Sequence, residues 1–115
     1  MQIKRGDLFW VNLDPTKGSE QAGRRPVLVI QNDIGNEFAA TVIVAPLTTR
    51  PFTKSYPTNV AIPGGIAGIK EDSTVLLSQI RTIDKVRLEK KIGHLSPGYL
   101  SEVNRAIAIS LGLSL

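Results

Sequence analysis

Apolar residues alternate with polar ones from Leu8 to Leu13, with Phe9, Val11 and Leu13 on one face, and this period of two predicts a strand. Asp14-Pro15 ends it. Residues 15 to 25 (PTKGSEQAGRR) are polar, glycine-containing and aperiodic, so they predict a long loop. Val27 to Gln31 reads as a buried strand, and Asn32 to Asn36, with Gly35, as a turn. The β-branched stretch Thr41 to Leu47 predicts the next strand, with Pro46 marking a bulge or an edge. A second long loop, 48 to 57, carries Pro51 and Pro57. There follow a short strand at Asn59 to Ile62, a turn at Pro63-Gly64-Gly65 and a longer strand at Ser73 to Ile83. A turn or 3₁₀ piece at Asp84 to Leu88 and a last strand at Lys90 to Leu95 complete the β part.

One helix is predicted, at the C-terminus. Ser96 is placed to cap it, Pro97 takes the favoured first position, and Leu100, Val103, Ile107 and Leu111 form an apolar stripe. Gly112 is its stop. Several short strands followed by one packing helix predict a mainly β fold, a small SH3-like antiparallel barrel in a single domain over 1–115. The longest aliphatic run, Val27 to Ile30, is too short to span a bilayer, so no membrane partner is expected. With no cysteine, the chain fits a cytoplasmic location.

Composition narrows the chemistry. The formal net charge is +4, and residues 38 to 70 contain no Asp or Glu but do contain Arg50, Lys54 and Lys70, interleaved with Phe52 and Tyr56. Such a stretch is suited to tracking phosphates and stacking bases. The absence of cysteine excludes disulfides, thiol catalysis and zinc–thiolate sites. His94 is the only histidine, which excludes a two-histidine acid–base ribonuclease within one chain; in a strand it reads as an ordinary satisfied or exposed residue. No nucleophile elbow, P-loop or dinucleotide fingerprint occurs. The carboxylates are scattered except for Glu71-Asp72, which reads as a solvated turn, so neither a metal nor any other cofactor is expected.

RNA cleavage asks less of the protein. The nucleophile, a ribose 2′-hydroxyl, arrives with the substrate; the enzyme must align it, stabilise charge on the phosphate oxygens and assist proton transfer to the leaving oxygen. The planar fork of arginine suits phosphate oxygens, and a threonine hydroxyl adds one donor.

The segment Gly18-Ser19-Glu20-Gln21-Ala22-Gly23-Arg24-Arg25-Pro26, leading into Val27 to Ile30, resembles the loop signature of the MazF/PemK toxins. Arg5-Gly6-Asp7, Asp14-Pro15, the stretch Gln31 to Asn36, Ala45 to Thr48 and the stretch Gln79 to Lys85 resemble the same family, in order. The resemblance implies an SH3-like barrel, a homodimer and a metal-independent, sequence-specific endoribonuclease. It would cut single-stranded mRNA to 2′,3′-cyclic phosphate and 5′-hydroxyl ends. A cognate antitoxin with an acidic C-terminal segment is implied as well. The catalytic arginine and threonine of the family fall on Arg25 and Thr48. Arg24 departs from the commoner uncharged residue and is a second phosphate-binding candidate, but Pro26 selects Arg25, because the motif places its arginine directly before proline. Glu20, Thr49, Arg50, Lys54, Gln79 and Arg81 are the further RNA-binding candidates. Glu20 reads either as an ion-pair partner of Arg24 or Arg25 or as a contact to a base; Gln79 and Arg81, two apart in a strand, read as sharing a face that meets RNA or the dimer partner.

Two alternatives belong to other classes. Gyrase-poisoning toxins share the barrel but need a C-terminal helix ending in tryptophan, glycine and isoleucine; this chain ends Leu111-Gly-Leu-Ser-Leu115, and its one tryptophan is Trp10. A non-catalytic RNA-binding barrel would explain the charge but not the Arg25/Thr48 pair.

Overall fold

The computed structural model describes residues 2–114. In chain order the elements are β1 (Asp7–Asn12), β2 (Arg24–Val29), α1 (Asp33–Phe38), β3 (Thr41–Thr48), β4 (Asn59–Ile62), β5 (Ser73–Leu76), β6 (Arg81–Asp84), β7 (Leu88–His94) and α2 (Pro97–Leu111). The strands form one antiparallel sheet in the order β4-β5-β3-β2-β1-β7, with β6 also pairing to β3. β3 is thus shared: Thr41 to Val44 face β6, while Leu47 and Thr48 face β5. No pairing joins the end strands, so the expected barrel is a strongly wound sheet rather than a closed ring.

Alternation along the strands feeds two cores. Phe9, Val11, Val27, Val29, Val42 and Val44 pack together on one face. Leu8, Leu28, Ala45 and Leu47 face the other way, onto Val60, Ile62, Val75 and the helix residues Val103 and Ala106.

Three sequence expectations need correction. Asn32 to Asn36 is the start of a short helix, not a turn: the Asn32 side chain accepts from Gly35 N at 2.8 Å as its N-cap. Asp33 next to it accepts from Arg5 N and Asn36 Nδ2, and these bonds, the first the stronger, hold its carboxyl below the usual range. The stretch 73 to 83 is two strands, β5 and β6, separated by a 3₁₀ turn at Leu77–Gln79. Pro46 is neither at an edge nor at a bulge. It pairs with Val27 inside the sheet, and its other side falls in the gap between β6, whose first residue Arg81 lies opposite Val44, and β5, whose Val75 lies opposite Leu47. The Ile43 carbonyl accepts from Ile30 N on the β2 side, so alternation turns Pro46 N toward that gap, where no donor is required.

The helix begins and ends as expected, with Pro97 first and Gly112 in the left-handed region at φ 71°. Ser96 holds the N-cap position, although its side chain makes no capping bond. Leu100 and Ile107 pack on the core with Val103, but Leu111 is exposed. No helix among the described residues is long and apolar enough to cross a membrane.

Candidate RNA-cleavage site

Arg25 and Thr48 are brought together by strand register. β2 and β3 pair as Val29↔Val44, Leu28↔Ala45 and Val27↔Pro46. The ladder itself stops at Val27↔Pro46; continued two steps, the same register brings Arg25, second in β2, level with Thr48, last in β3. Both residues therefore lie in strands, not in the two loops where the sequence placed them. The intervening step of that extension sets Pro26 level with Leu47. Proline has no N–H, so the Leu47 carbonyl lacks the ladder donor it would otherwise receive. The Arg25 side chain supplies one instead, donating from Nη1 to Leu47 O at 3.1 Å, while its Nε donates to Ala22 O at 2.9 Å. This gives the Arg-Pro dipeptide a local physical meaning: proline frees a carbonyl, and the preceding arginine is anchored by it. Two of the five N–H groups of the guanidinium are used in this way, and three remain for a ligand.

Thr48 is buried, and its Oγ1 accepts from Arg50 N at 3.2 Å. One lone pair is thereby engaged and the hydroxyl hydrogen is left to donate.

Both residues line the larger of two concavities. The larger, a groove of about 630 Å³, is lined by Arg24, Arg25, Thr48 and Thr49 together with Trp10, Ser73, Lys70, Lys90 and Lys91; the one carboxylate in its lining is Glu71. The smaller, about 170 Å³, holds Glu20, Gln79 and Arg81 beside Val44 and Pro46, on the sheet face to which alternation directs Arg25 and Thr48. Gln79 lies in the 3₁₀ turn and Arg81 in β6, so turn geometry rather than one strand puts them in the same concavity. Arg81 is fixed by donating from Nη1 to Leu13 O at 2.8 Å. Arg50 and Lys54 line neither concavity; they are exposed on the following loop, where the Arg50 guanidinium stands 5.8 Å from the Phe52 ring centre.

Glu20 does not pair with either arginine. It accepts from Lys17 N at 2.5 Å, closing its own turn. The partner of Arg24 is Glu89, at 2.8 Å, and the Arg24 guanidinium also lies 4.6 Å from the Trp10 ring centre.

Three cations of the groove come from a close approach. A Cβ on Gly93 in β7 would overlap the Ala67 carbonyl, and Gly68, at φ 81°, has no room for one against Ile92 O. These two glycines let the loop before β5 lie directly on β7, which sets Lys70 beside Lys90 and Lys91. Of these lining residues the sequence singles out Lys70 but not Lys90, Lys91 or Trp10, because the approach of the two glycines is long-range.

Lys91 is further placed by Asp7, a buried carboxylate that accepts from Lys91 Nζ at 3.3 Å, His94 Nδ1 at 2.8 Å and Lys4 N at 2.8 Å. His94 is thus hydrogen-bonded and exposed, and it lines neither concavity.

A family model described as PemK-like, MazF-like toxin of type II toxin–antitoxin system matches residues 4–111. The chain is 51% identical to Endoribonuclease EndoA of Bacillus subtilis over 98% of its own length and 97% of that relative's. It is 50% identical to Endoribonuclease MazF of Staphylococcus saprophyticus, over 96% and 92% of the two lengths. A MazE–MazF crystal structure (Form-II) from Deinococcus radiodurans superposes with a TM-score of 0.77 at 31% identity, covering 99% of each chain. An Arg-Pro step that anchors its own arginine opposite a strand-end threonine, and a match along nearly the whole chain, place this protein in the PemK-like, MazF-like toxin family of type II toxin–antitoxin systems.

Proposed function

We propose that this family member is a sequence-specific endoribonuclease that cuts single-stranded messenger RNA without a metal ion. The observation that carries the reading is that Arg25 and Thr48 line the same basic groove, both with donors left over. Relatives half identical over nearly the full chain and named endoribonucleases support the class of reaction.

In the proposed reaction the ribose 2′-oxygen attacks the adjacent phosphorus and loses its proton. The bond from phosphorus to the 5′-oxygen breaks, and that oxygen takes up a proton. The products are a 2′,3′-cyclic phosphate and a 5′-hydroxyl, and no water is consumed in the step. The free N–H groups of Arg25 bind the non-bridging oxygens, where charge builds up, and the Thr48 hydroxyl donates one more hydrogen bond to the same phosphate. Because Arg25 is already fixed by two carbonyls, little reorganisation is needed when the phosphate arrives. Resemblance to the family assigns Arg25 part of the proton transfer too. Arg24, Thr49, Glu20, Gln79 and Arg81 are assigned to the flanking nucleotides, with Arg50 and Lys54 on the loop attracting the strand.

The protein is further proposed to act in the cytoplasm as a homodimer, with the exposed Ile34, Phe38 and Val86 as apolar surface available for such a contact. An antitoxin bearing an acidic segment suits the cations of the groove, and the MazE–MazF structure supports a partner of that kind. Incubation with a long single-stranded RNA in excess EDTA tests the metal claim. Full cleavage is the expected result, and dependence on added magnesium or manganese would contradict it.

A further inference from the structure

Trp10, Arg24 and Glu89 form a cluster that the cleavage chemistry does not use. β1 and β2 place Trp10 opposite Pro26, so Trp10 and Arg24 share the sheet face that lines the larger groove. The Arg24 guanidinium covers the indole at 4.6 Å from the ring centre and is tethered by Glu89 at 2.8 Å. The tether is a weak one, because the two side chains are 54% and 41% exposed. The cover can therefore be exchanged. A phosphate is at least as good a partner for a guanidinium as a carboxylate, and a nucleobase is at least as good a partner for an indole face. Arg24 adjoins Arg25 in sequence, and Lys90 and Lys91 continue the line of positive charge along the groove.

We propose that the Arg24–Trp10–Glu89 cluster is a covered base-stacking subsite for a nucleotide flanking the scissile phosphate. When RNA enters, Arg24 leaves Glu89 for a backbone phosphate and uncovers Trp10, and the base takes its place on the indole. The subsite rests on the ribonuclease reading above and extends its substrate contacts. An acidic peptide would satisfy the cations but needs an aromatic side chain at one particular position to cover the indole, whereas every RNA nucleotide carries a ring next to a phosphate, so RNA is the occupant that both features fit.

Trp10 is the only tryptophan, so its fluorescence reports the subsite alone. The probe is an RNA of known cleavage position made uncleavable by a 2′-deoxyribose at that position; if no cleavage is found, the uncut RNA itself is titrated. Saturating RNA should quench Trp10 emission. An abasic scan should find one flanking position whose base is needed for the quench, and loss of that base should weaken binding on the order of tenfold. Trp10→Leu should weaken binding by a similar factor and make it insensitive to that abasic position. Glu89→Gln should tighten binding several-fold, and this gain should shrink when Arg24→Ala is also present. Glu102→Gln, on α2, is the control. Unchanged Trp10 emission at saturation, a quench indifferent to every base, or a response to polyglutamate and none to RNA would each overturn the subsite. These outcomes leave the cleavage reading intact if the RNA is cut, whereas a quench without any cleavage would overturn the ribonuclease and keep the subsite as a binding feature.

Discussion

Arg25→Ala is expected to lower the single-turnover rate of RNA cleavage on the order of 10³-fold or more, with a much smaller loss of RNA affinity. Removing one preorganised donor to a transition-state oxyanion typically costs about 10²–10³ in rate, and here a full positive charge goes with it. The affinity loss is smaller because Arg24, Lys70, Lys90 and Lys91 still line the groove. Arg25→Lys should not restore the rate. A lysine carries one ammonium group and cannot hold both Ala22 O and Leu47 O while presenting a planar fork to the phosphate. Either substitution leaves the Leu47 carbonyl short of a partner. Circular dichroism and urea unfolding must therefore accompany the kinetics, and a modest stability loss of about 1 kcal/mol is expected. A rate loss of less than tenfold in a folded Arg25→Ala protein would remove Arg25 from the reaction.

Thr48→Val is expected to cost about 10²-fold in the same rate, for a reason the structure makes specific. Valine keeps the shape of a buried strand-end residue but deletes the hydroxyl, which both accepts from Arg50 N and retains a hydrogen to donate. Thr48→Ser keeps the hydroxyl and should keep part of the activity. A Thr48→Val variant that keeps the rate while Thr48→Ser loses it would mean that Thr48 acts through packing alone. Because Thr48 is the last residue of β3 and not part of the loop after it, the valine variant should keep the β3–β5 pairing at Thr48↔Thr74.

Much of this site was legible before any coordinates, but unevenly. A period-two pattern located β1, as Phe9 and Val11 show, while an aliphatic run marked β2 and a β-branched stretch marked β3, whose two faces feed two cores. The run at 73 to 83 lacked such a period around Leu76-Leu77, so nothing in the pattern marked the 3₁₀ turn that separates β5 from β6. Asn32 to Asn36 looked like a turn because Asn and Gly are poor helix formers; the same Asn32 serves as a cap once the following turn winds. Arg25 and Thr48 were found through the family motif, but their mutual position depends on register, which one sequence does not fix. The motif read as a loop; in the structure its Arg-Pro step is strand, and the missing proline N–H is what anchors the arginine. Lys90 and Lys91 escaped notice because their approach to Lys70 depends on two glycines packing backbone on backbone, a long-range contact with no local signature. Glu20 looked like a partner for an arginine, yet it closes a local turn, and Arg24 finds Glu89 from β7 instead.

The central claim is that Arg25 and Thr48 act on a phosphate whose attacking oxygen belongs to the substrate. Replacing the 2′-hydroxyl of the cleaved nucleotide by hydrogen tests it most directly, with the wild-type protein, in EDTA, and with both new ends of the parent RNA analysed. The expected result is a 2′,3′-cyclic phosphate and a 5′-hydroxyl on the parent RNA and no cleavage at the 2′-deoxy position, while binding is retained. Cleavage that persists at the 2′-deoxy position, or a 5′-phosphate on the product, would contradict it.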